Sequence, residues 1–157
     1  MKILIVRHGE AVGAHVAGGD ENRYLTPNGR ATSDRVAAAL DQLGHTPTHI
    51  YTSPLVRAVQ TAERFAHAAS HPGPVVTHRP LVPGGPTAQA LAVLEAHGDT
   101  DTIALVSHEP TVSTLSAFLT QSRPLGFPTS GVAVLDGNAH GARLIGRFDP
   151  ISLSFST

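Results

Sequence analysis

Short apolar runs alternate along the chain with longer segments in which apolar residues recur at helical spacing. The short runs predict buried strands, since a parallel strand covered on both faces is apolar at nearly every position. They lie at Ile3–Val6, at about 48–52, at Val75–Thr77 and at about Thr102–Val106. The longer segments follow these strands in turn and predict four helices.

Two of the predicted helices begin with a clear signal. Thr26-Pro27 and Ser53-Pro54 each pair a hydroxyl that can cap a helix with a proline suited to its first position. The four helices are predicted from Thr26-Pro27 to Gly44, from Ser53-Pro54 to about 69, from about Ala88 to Gly98, and from Pro110 through Leu119. This alternation of strand and helix predicts an α/β fold, a three-layer α/β/α sandwich with a mostly parallel central sheet.

The remaining segments are predicted as loops and one hairpin. Residues 9–26 are Gly-rich and polar, and Ser122–Ser130 is rich in proline, so both are expected to be loops. Val132–Leu135 and Arg143–Ile145 predict a hairpin around Gly137-Asn138. No repeat or linker interrupts the 157 residues, and we expect one domain over 1–157.

Composition narrows the classes of function. The net charge of −1 offers no basic field for nucleic acid or for an anionic membrane surface. The absence of cysteine excludes disulfides and thiolate metal sites. The apolar run after Met1 ends at Arg7 and is too short for a signal peptide core or a membrane span. We therefore expect a soluble cytoplasmic protein that contacts neither nucleic acid nor membrane.

Three predicted strands end in polar sequences that contain histidine or arginine. Arg7-His8-Gly9-Glu10 follows the first strand, Ser53-Pro54-Leu55-Val56-Arg57 follows the second, and Ser107-His108-Glu109-Pro110 follows the fourth. Side chains beyond the carboxyl ends of parallel strands converge on one crevice. Two histidines and two arginines should therefore meet there. Guanidinium groups match the oxygens of a phosphoryl group, and a neutral imidazole can attack its phosphorus.

These sequences resemble the motifs of the histidine phosphatase superfamily. Leu4–Glu10 is similar to its signature, Ser53–Ala62 to its second motif and Val106–Pro110 to its third, while Leu25–Gly29 matches a further element. Their order and spacing agree along most of the chain. The small size and the compact region between the second and third motifs are most similar to the SixA-type phosphohistidine phosphatases. The resemblance implies a phosphoglycerate mutase-like fold.

The resemblance also implies a role for each matching residue. His8 corresponds to the nucleophile that becomes transiently phosphorylated, and Arg7, Arg57 and His108 to the groups that bind the nonbridging oxygens. One nitrogen of His8 must stay unprotonated, so the other needs a partner such as the carbonyl of Gly9 or of a loop neighbour. Arg57 would lie in the first turn of its helix, where free N–H groups also favour an anion. Of the 10 histidines, we expect no direct role for the eight outside the motifs.

No metal and no cofactor are expected, because two guanidinium groups already supply fixed positive charge to a transition state that needs mainly positioning and charge stabilisation. Glu10 and Glu109 are possible auxiliary residues. Glu10 would orient the site, and Glu109 would be a carboxylate at a helix end near the phosphate. Whether Glu10, Glu109 or solvent protonates the leaving group stays open at this point.

The sequence departs from many relatives in the segment that supplies their proton-donating acid. The corresponding stretch, Arg79–Pro86, contains no Asp or Glu. An alkoxide is hard to expel without a proton, since its alcohol has a pKa near that of water, about 15.7. Imidazole leaves far more easily, since its conjugate acid has a pKa of about 6.5. This favours phosphohistidine in a protein, for example a phosphorelay histidine, as the substrate.

Several alternatives share some of these residues. A phosphomonoesterase of the same superfamily would act on a small phosphorylated molecule, and a phosphoglycerate mutase would need substrate-enclosing insertions for which the chain is small. A noncatalytic module would bind a phosphoprotein without turnover. A metallohydrolase would use His8, His108 and a glutamate. The leading hypothesis remains a metal-independent phosphatase that acts through phosphorylated His8.

Overall fold

One mixed seven-stranded sheet forms the centre of the molecule, with helices on both faces, in a computed structural model that describes residues 1–157. The strands in chain order are β1 (Lys2–Arg7), β2 (His49–Thr52), β3 (Val75–Thr77), β4 (Thr102–Ser107), β5 (Val132–Asn138), β6 (Gly141–Asp149) and β7 (Ser154–Ser156). Across the sheet they are ordered β3-β2-β4-β1-β5-β6-β7.

Five α-helices connect or flank these strands. They are α1 (Ala14–Ala17), α2 (Pro27–Gln42), α3 (Val56–Ala68), α4 (Thr87–Leu91) and α5 (Thr111–Thr120). Short 3₁₀ turns cover Asp20–Asn22, Arg79–Leu81 and Ala92–Ala96. None of the helices combines the length and the apolar character that a membrane crossing needs.

Successive side chains of the central strands point to opposite faces of the sheet, so the core has two layers. Leu4 and Val6 of β1 belong to the cluster formed with α2 and α3, where Phe65 is the largest buried side chain. Ile3 and Ile5 belong to the cluster that includes Leu91, Leu94, Leu115 and Leu119 of the other helical layer. Every residue of β4 is buried, which explains the uninterrupted apolar run at its centre, Ile103–Val106.

The predicted α/β sandwich is confirmed, and its sheet is divided into a parallel half and an antiparallel half. Strands β3, β2, β4 and β1 pair in parallel. Strands β5, β6 and β7 extend the sheet in antiparallel pairing. The predicted hairpin is therefore present, although its strands are longer than expected and β7 was not predicted.

Three predicted local features differ from the structure. Residues 9–26 are not a continuous loop, since α1 and the 3₁₀ turn Asp20–Asn22 interrupt them. Ser53 does not cap a helix, because α3 starts at Val56 after Leu55. The Thr26-Pro27 signal is confirmed, with the Thr26 hydroxyl accepting from the amide of Gly29. The helix expected from Ala88 to Gly98 is α-helical only to Leu91 and continues as a 3₁₀ turn to Ala96.

Candidate active site

The sequences after β1, β2 and β4 meet at the carboxyl edge of the parallel strands. Strand β4 lies between β1 and β2, with Arg7 opposite Ser107 and Thr52 opposite Val106. The residues that follow these pairs are therefore neighbours, and the ring centres of His8 and His108 are 4.9 Å apart. The predicted convergence of distant motifs is confirmed.

These residues form the wall of a cavity of about 370 Å³. Nine of its eleven lining residues are polar or charged. The lining residues are Arg7, His8, Glu10, Ala11, Asp20, Arg23, Arg57, Pro83, His108, Glu109 and Thr129. The cavity thus contains all six residues singled out in the sequence, together with five that were not.

His8 is held with its two ring nitrogens in different environments. Its Nδ1 lies 2.7 Å from the carbonyl oxygen of Gly9, and its Nε2 lies 3.3 Å from Nε of Arg57. A carbonyl only accepts and a guanidinium only donates, so Nδ1 carries the proton and Nε2 presents its lone pair. Burial, followed by the charges of Arg57 and Arg7, lowers the pKa of His8 to about 4. The ring is therefore neutral near pH 7, as a nucleophile requires.

His108 is also buried and neutral. Its Nε2 lies 2.8 Å from the Ser53 hydroxyl, while its Nδ1 is buried without a partner in the protein. Burial, with the neighbouring His8 and Arg57, lowers the pKa of His108 to about 3. Ser53 therefore fixes the orientation of this ring, which is why a serine that resembles a helix cap in the sequence does not cap the helix.

Arg57 is the second residue of α3 and only 3% exposed. Its Nη1 donates to the backbone carbonyl of Asp20 at 2.8 Å, and its Nη2 pairs with the carboxylate of Asp20 at 3.2 Å. The other carboxylate oxygen of Asp20 lies 3.3 Å from Nη1 of Arg23. Although desolvation raises the pKa of Asp20, hydrogen bonds and charges from Arg23 and Arg57 lower it below its ordinary value. Asp20 is therefore an ionised anion at the cavity wall.

Arg7 reaches the cavity from the end of β1. Its Nη1 donates to the carbonyl of Phe127, and its Nε is buried without a partner. The amide of Phe127 donates in turn to Glu109 at 2.7 Å. One residue of the 122–130 loop, Phe127, thus connects two residues of the cavity wall through its carbonyl and its amide.

The two candidate auxiliary carboxylates are occupied by neighbouring groups. Glu10 accepts from the Thr26 hydroxyl at 2.7 Å and from the Asn28 amide at 3.2 Å. Glu109 accepts from the Ser113 hydroxyl at 2.8 Å and from the Phe127 amide. Both carboxylates are therefore held by hydrogen bonds to neighbouring residues, and both glutamates line the cavity.

Helix α3 supports the site beyond Arg57. The Thr61 hydroxyl accepts from the amide of Gly9 at 2.9 Å and donates to the carbonyl of Arg57 at 2.8 Å. One helical turn thus positions both the backbone beside His8 and the backbone of Arg57. The Gln60 side chain accepts from the amide of Leu25 at 2.8 Å. These contacts explain the polar residues of the second motif.

Sequence reasoning missed Asp20, Arg23, Ala11, Pro83 and Thr129 as lining residues. Asp20 and Arg23 carried one signal, since residues 11–19 contain no Asp, Glu, Lys or Arg and three charged residues then follow within four positions. Nothing in the pattern of residues 9–26 indicated that a 3₁₀ turn places Asp20 against Arg57.

Comparison with known proteins gives a consistent result. The model of the histidine phosphatase superfamily (branch 1) matches residues 3–81. The chain is 32% identical to phosphohistidine phosphatase SixA of Escherichia coli, over 90% of this chain and 89% of that protein. It is 40% identical to an uncharacterised protein of Picosynechococcus, over 70% of this chain and 67% of that protein.

A solved structure of a SixA protein histidine phosphatase, complexed with tungstate, is also similar. Its TM-score is 0.90, its sequence is 28% identical, and the match covers 98% of this chain and 100% of that chain. The similarity thus extends from the motifs to the whole backbone.

Proposed function

The chain belongs to the histidine phosphatase superfamily (branch 1) and is a phosphatase, and from this premise we propose that it removes phosphoryl groups from phosphohistidine in a protein through a phosphorylated His8. The observation that carries the proposal is the neutral His8 ring with its Nε2 lone pair beside Arg57. That arrangement supports a reaction in two phosphoryl-transfer steps.

In the first step, Nε2 of His8 attacks the phosphorus of a substrate ring that carries a proton on its other nitrogen, the P–N bond of the substrate breaks, and that ring leaves as neutral imidazole. The Gly9 carbonyl holds the proton on Nδ1, which keeps Nε2 free and stabilises the positive charge that develops on the ring. Arg7, Arg57 and His108 bind the nonbridging oxygens. In the second step, water attacks the phosphorus of phosphorylated His8, which releases inorganic phosphate and restores the neutral ring.

The guanidinium groups of Arg7 and Arg57 fit the loose transition state of phosphoryl transfer, in which charge is spread over the equatorial oxygens. The buried Nε of Arg7 and Nδ1 of His108 have no protein partners. An unpaired buried polar group costs roughly 1–3 kcal/mol, so an anion that drew these side chains into hydrogen bonds would recover that cost. The Arg57 fork already binds a carboxylate, that of Asp20, and a phosphoryl group would compete for the same nitrogens.

The supply of protons supports phosphohistidine over an alkyl phosphate. Pro83 is the one residue of 79–86 that lines the cavity, and it has no proton to give. Asp20 is ionised because its arginine partners lower its pKa. General acid catalysis contributes about 10²–10⁴-fold, and its loss affects an alkoxide leaving group far more than an imidazole.

A substrate panel tests the proposal. We expect kcat/KM on phosphohistidine peptides to exceed that on alkyl phosphomonoesters by at least about 10²-fold. His8→Ala should abolish turnover and the acid-labile, base-stable phosphoenzyme, while His67→Ala, an exposed change on α3, should preserve both. Equal kcat/KM on the two substrate classes would instead favour the small-molecule phosphomonoesterase. Phosphate binding without turnover would favour the noncatalytic module.

A further inference from the structure

A cluster of two histidines and one aspartate lies at the end of the sheet opposite the active site. His49 is the first residue of β2, Asp101 immediately precedes β4, and His97 follows the 3₁₀ turn Ala92–Ala96. The active-site residues follow the carboxyl ends of the same two strands. Strand β4 has six residues, so the two sites are separated by roughly 20 Å.

The three side chains converge closely. One ligand atom from each of His49, His97 and Asp101 lies within 4.8 Å of the others. Oδ1 of Asp101 lies 3.9 Å from Nδ1 of His49, and Oδ2 of Asp101 lies 3.7 Å from Nδ1 of His97. Two ligands of a tetrahedral zinc ion are about 3.4 Å apart, because each bond is about 2.1 Å long. The two distances from Asp101 are therefore close to that spacing, and side-chain rotation would have to bring the three ligand atoms, now within 4.8 Å, closer together.

Neighbouring groups already orient two of the three side chains. The Tyr51 hydroxyl lies 2.8 Å from Nε2 of His97, which leaves Nδ1 of that ring facing Asp101. The amide of Gly98 donates to Asp101 at 2.9 Å. Outer contacts of this kind fix the ring orientation and tautomer of metal-ligating histidines.

We propose that His49, His97 and Asp101 bind a divalent transition-metal ion of the zinc class. Two imidazoles and one carboxylate suit zinc better than magnesium or calcium, which prefer oxygen ligands. Three protein ligands leave a fourth position for water. The bound ion would hold the 97–101 segment, which leads into β4, against the start of β2, and would stabilise the fold without entering the phosphatase reaction.

Titration of the tag-free protein with Zn²⁺ tests the site. We expect one equivalent to bind and to raise Tm by about 5–10 °C at a hundredfold excess over Kd. Asp101→Asn and His49→Ala should each weaken Zn²⁺ binding by tenfold or more, whereas His67→Ala should not. The Tm of each variant without metal shows whether that variant is folded. If Asp101→Asn lowers this Tm, His49→Ala carries the test, because the side chain of His49 is half-exposed and its loss should disturb the fold less.

Unchanged Zn²⁺ affinity in both variants would overturn the proposal, as would the absence of binding by the wild-type protein at millimolar Zn²⁺. Chelator should remove the gain in Tm and leave kcat/KM on a phosphorylated substrate unchanged. The metal site and the proposed reaction at His8 can therefore fail independently.

Discussion

Two hydrogen bonds at His8 determine which of its nitrogens can react. The Gly9 carbonyl accepts a hydrogen bond from Nδ1–H, and the Arg57 guanidinium, which can only donate, donates to the lone pair of Nε2. Burial and the two arginines then keep the ring from taking a second proton, since they lower its pKa to about 4. In the proposed reaction Arg57 would have two functions, because the same charge that would bind a phosphoryl group also lowers the pKa of His8 and so keeps its ring neutral.

Replacement of Arg57 tests both functions. We expect Arg57→Ala to lower kcat/KM by about 10²–10³-fold, the cost of removing one preorganised donor from a transition state. Arg57→Lys should recover only part of the loss, because an ammonium lacks the planar fork. The pKa of His8, followed by NMR of its ring, should rise in Arg57→Ala because a neighbouring positive charge is gone.

Arg64→Ala is the matched control for this experiment. Arg64 lies two turns along the same helix and pairs with Asp34 at 3.3 Å on the surface. It should change neither kcat/KM nor the titration of His8. Near-normal turnover in Arg57→Ala would show that the second motif does not bind the phosphoryl group.

At the scale of elements, helix α2 approaches the segment after β1 with almost no space between them. A Cβ added to Gly29 would overlap the carbonyl group of Glu10. The Glu10 carboxylate meanwhile binds Thr26 and Asn28 at the start of the same helix. The Leu25–Gly29 element therefore fixes the backbone next to His8.

Gly29→Ala should destabilise the protein, although the same change in an exposed helix would stabilise it by about 1 kcal/mol. Overpacking against the Glu10 backbone is expected to cost about 1–3 kcal/mol, measured by urea unfolding. It should also lower kcat/KM, because the displaced backbone leads to His8. Arg30→Ala, at the exposed neighbouring position, should change the unfolding free energy by less than about 0.5 kcal/mol. A stabilised Gly29→Ala would mean that the two elements are loosely packed.

Elements with a repeating pattern could be predicted from the sequence, and the contacts of single polar residues could not. Thr26-Pro27 and Ser53-Pro54 look alike in the sequence, yet only Thr26 caps its helix. The Ser53 hydroxyl instead forms a hydrogen bond with His108, which is 55 positions away in the chain. Local propensity cannot reveal such a partner.

The same limit applies to Asp20. Its 3₁₀ turn is only three residues long, and its position depends on Arg57, which lies 37 positions away. The motifs indicated His8, His108, Arg7 and Arg57 because each directly follows a strand or begins a helix. Asp20 and Arg23 lie on or beside an irregular segment, and their place at the cavity is visible only in the three-dimensional structure.

At the scale of the whole molecule, two neutral imidazoles lie where the central strands end. His8 and His108 are 6% and 2% exposed, and their pKa values are lowered to about 4 and about 3. In the unfolded chain each ring titrates near 6.5. The site therefore makes the stability of the fold depend on pH.

Stability should be fully maintained above pH 6.5 and should fall as the pH decreases from 6.5 toward 4, because the unfolded chain takes up two protons that the folded protein excludes. Each proton contributes a slope of about 1.4 kcal/mol per pH unit. Urea unfolding at pH 5.0 should therefore give a free energy about 2–4 kcal/mol lower than at pH 7.5. His45 and His97, whose pKa values burial also lowers, act in the same direction.

The double variant His8→Asn, His108→Gln isolates the contribution of the site. The Asn amide can replace Nδ1 in its bond to Gly9, and the Gln amide can replace Nε2 in its bond to Ser53, while neither residue titrates. The variant should lose most of the difference between pH 7.5 and 5.0 and retain the part that comes from His45 and His97. An equal loss in both proteins, or wild-type ring resonances of His8 that titrate near pH 6.5, would mean that the site does not keep its histidines neutral and that acid unfolding begins elsewhere.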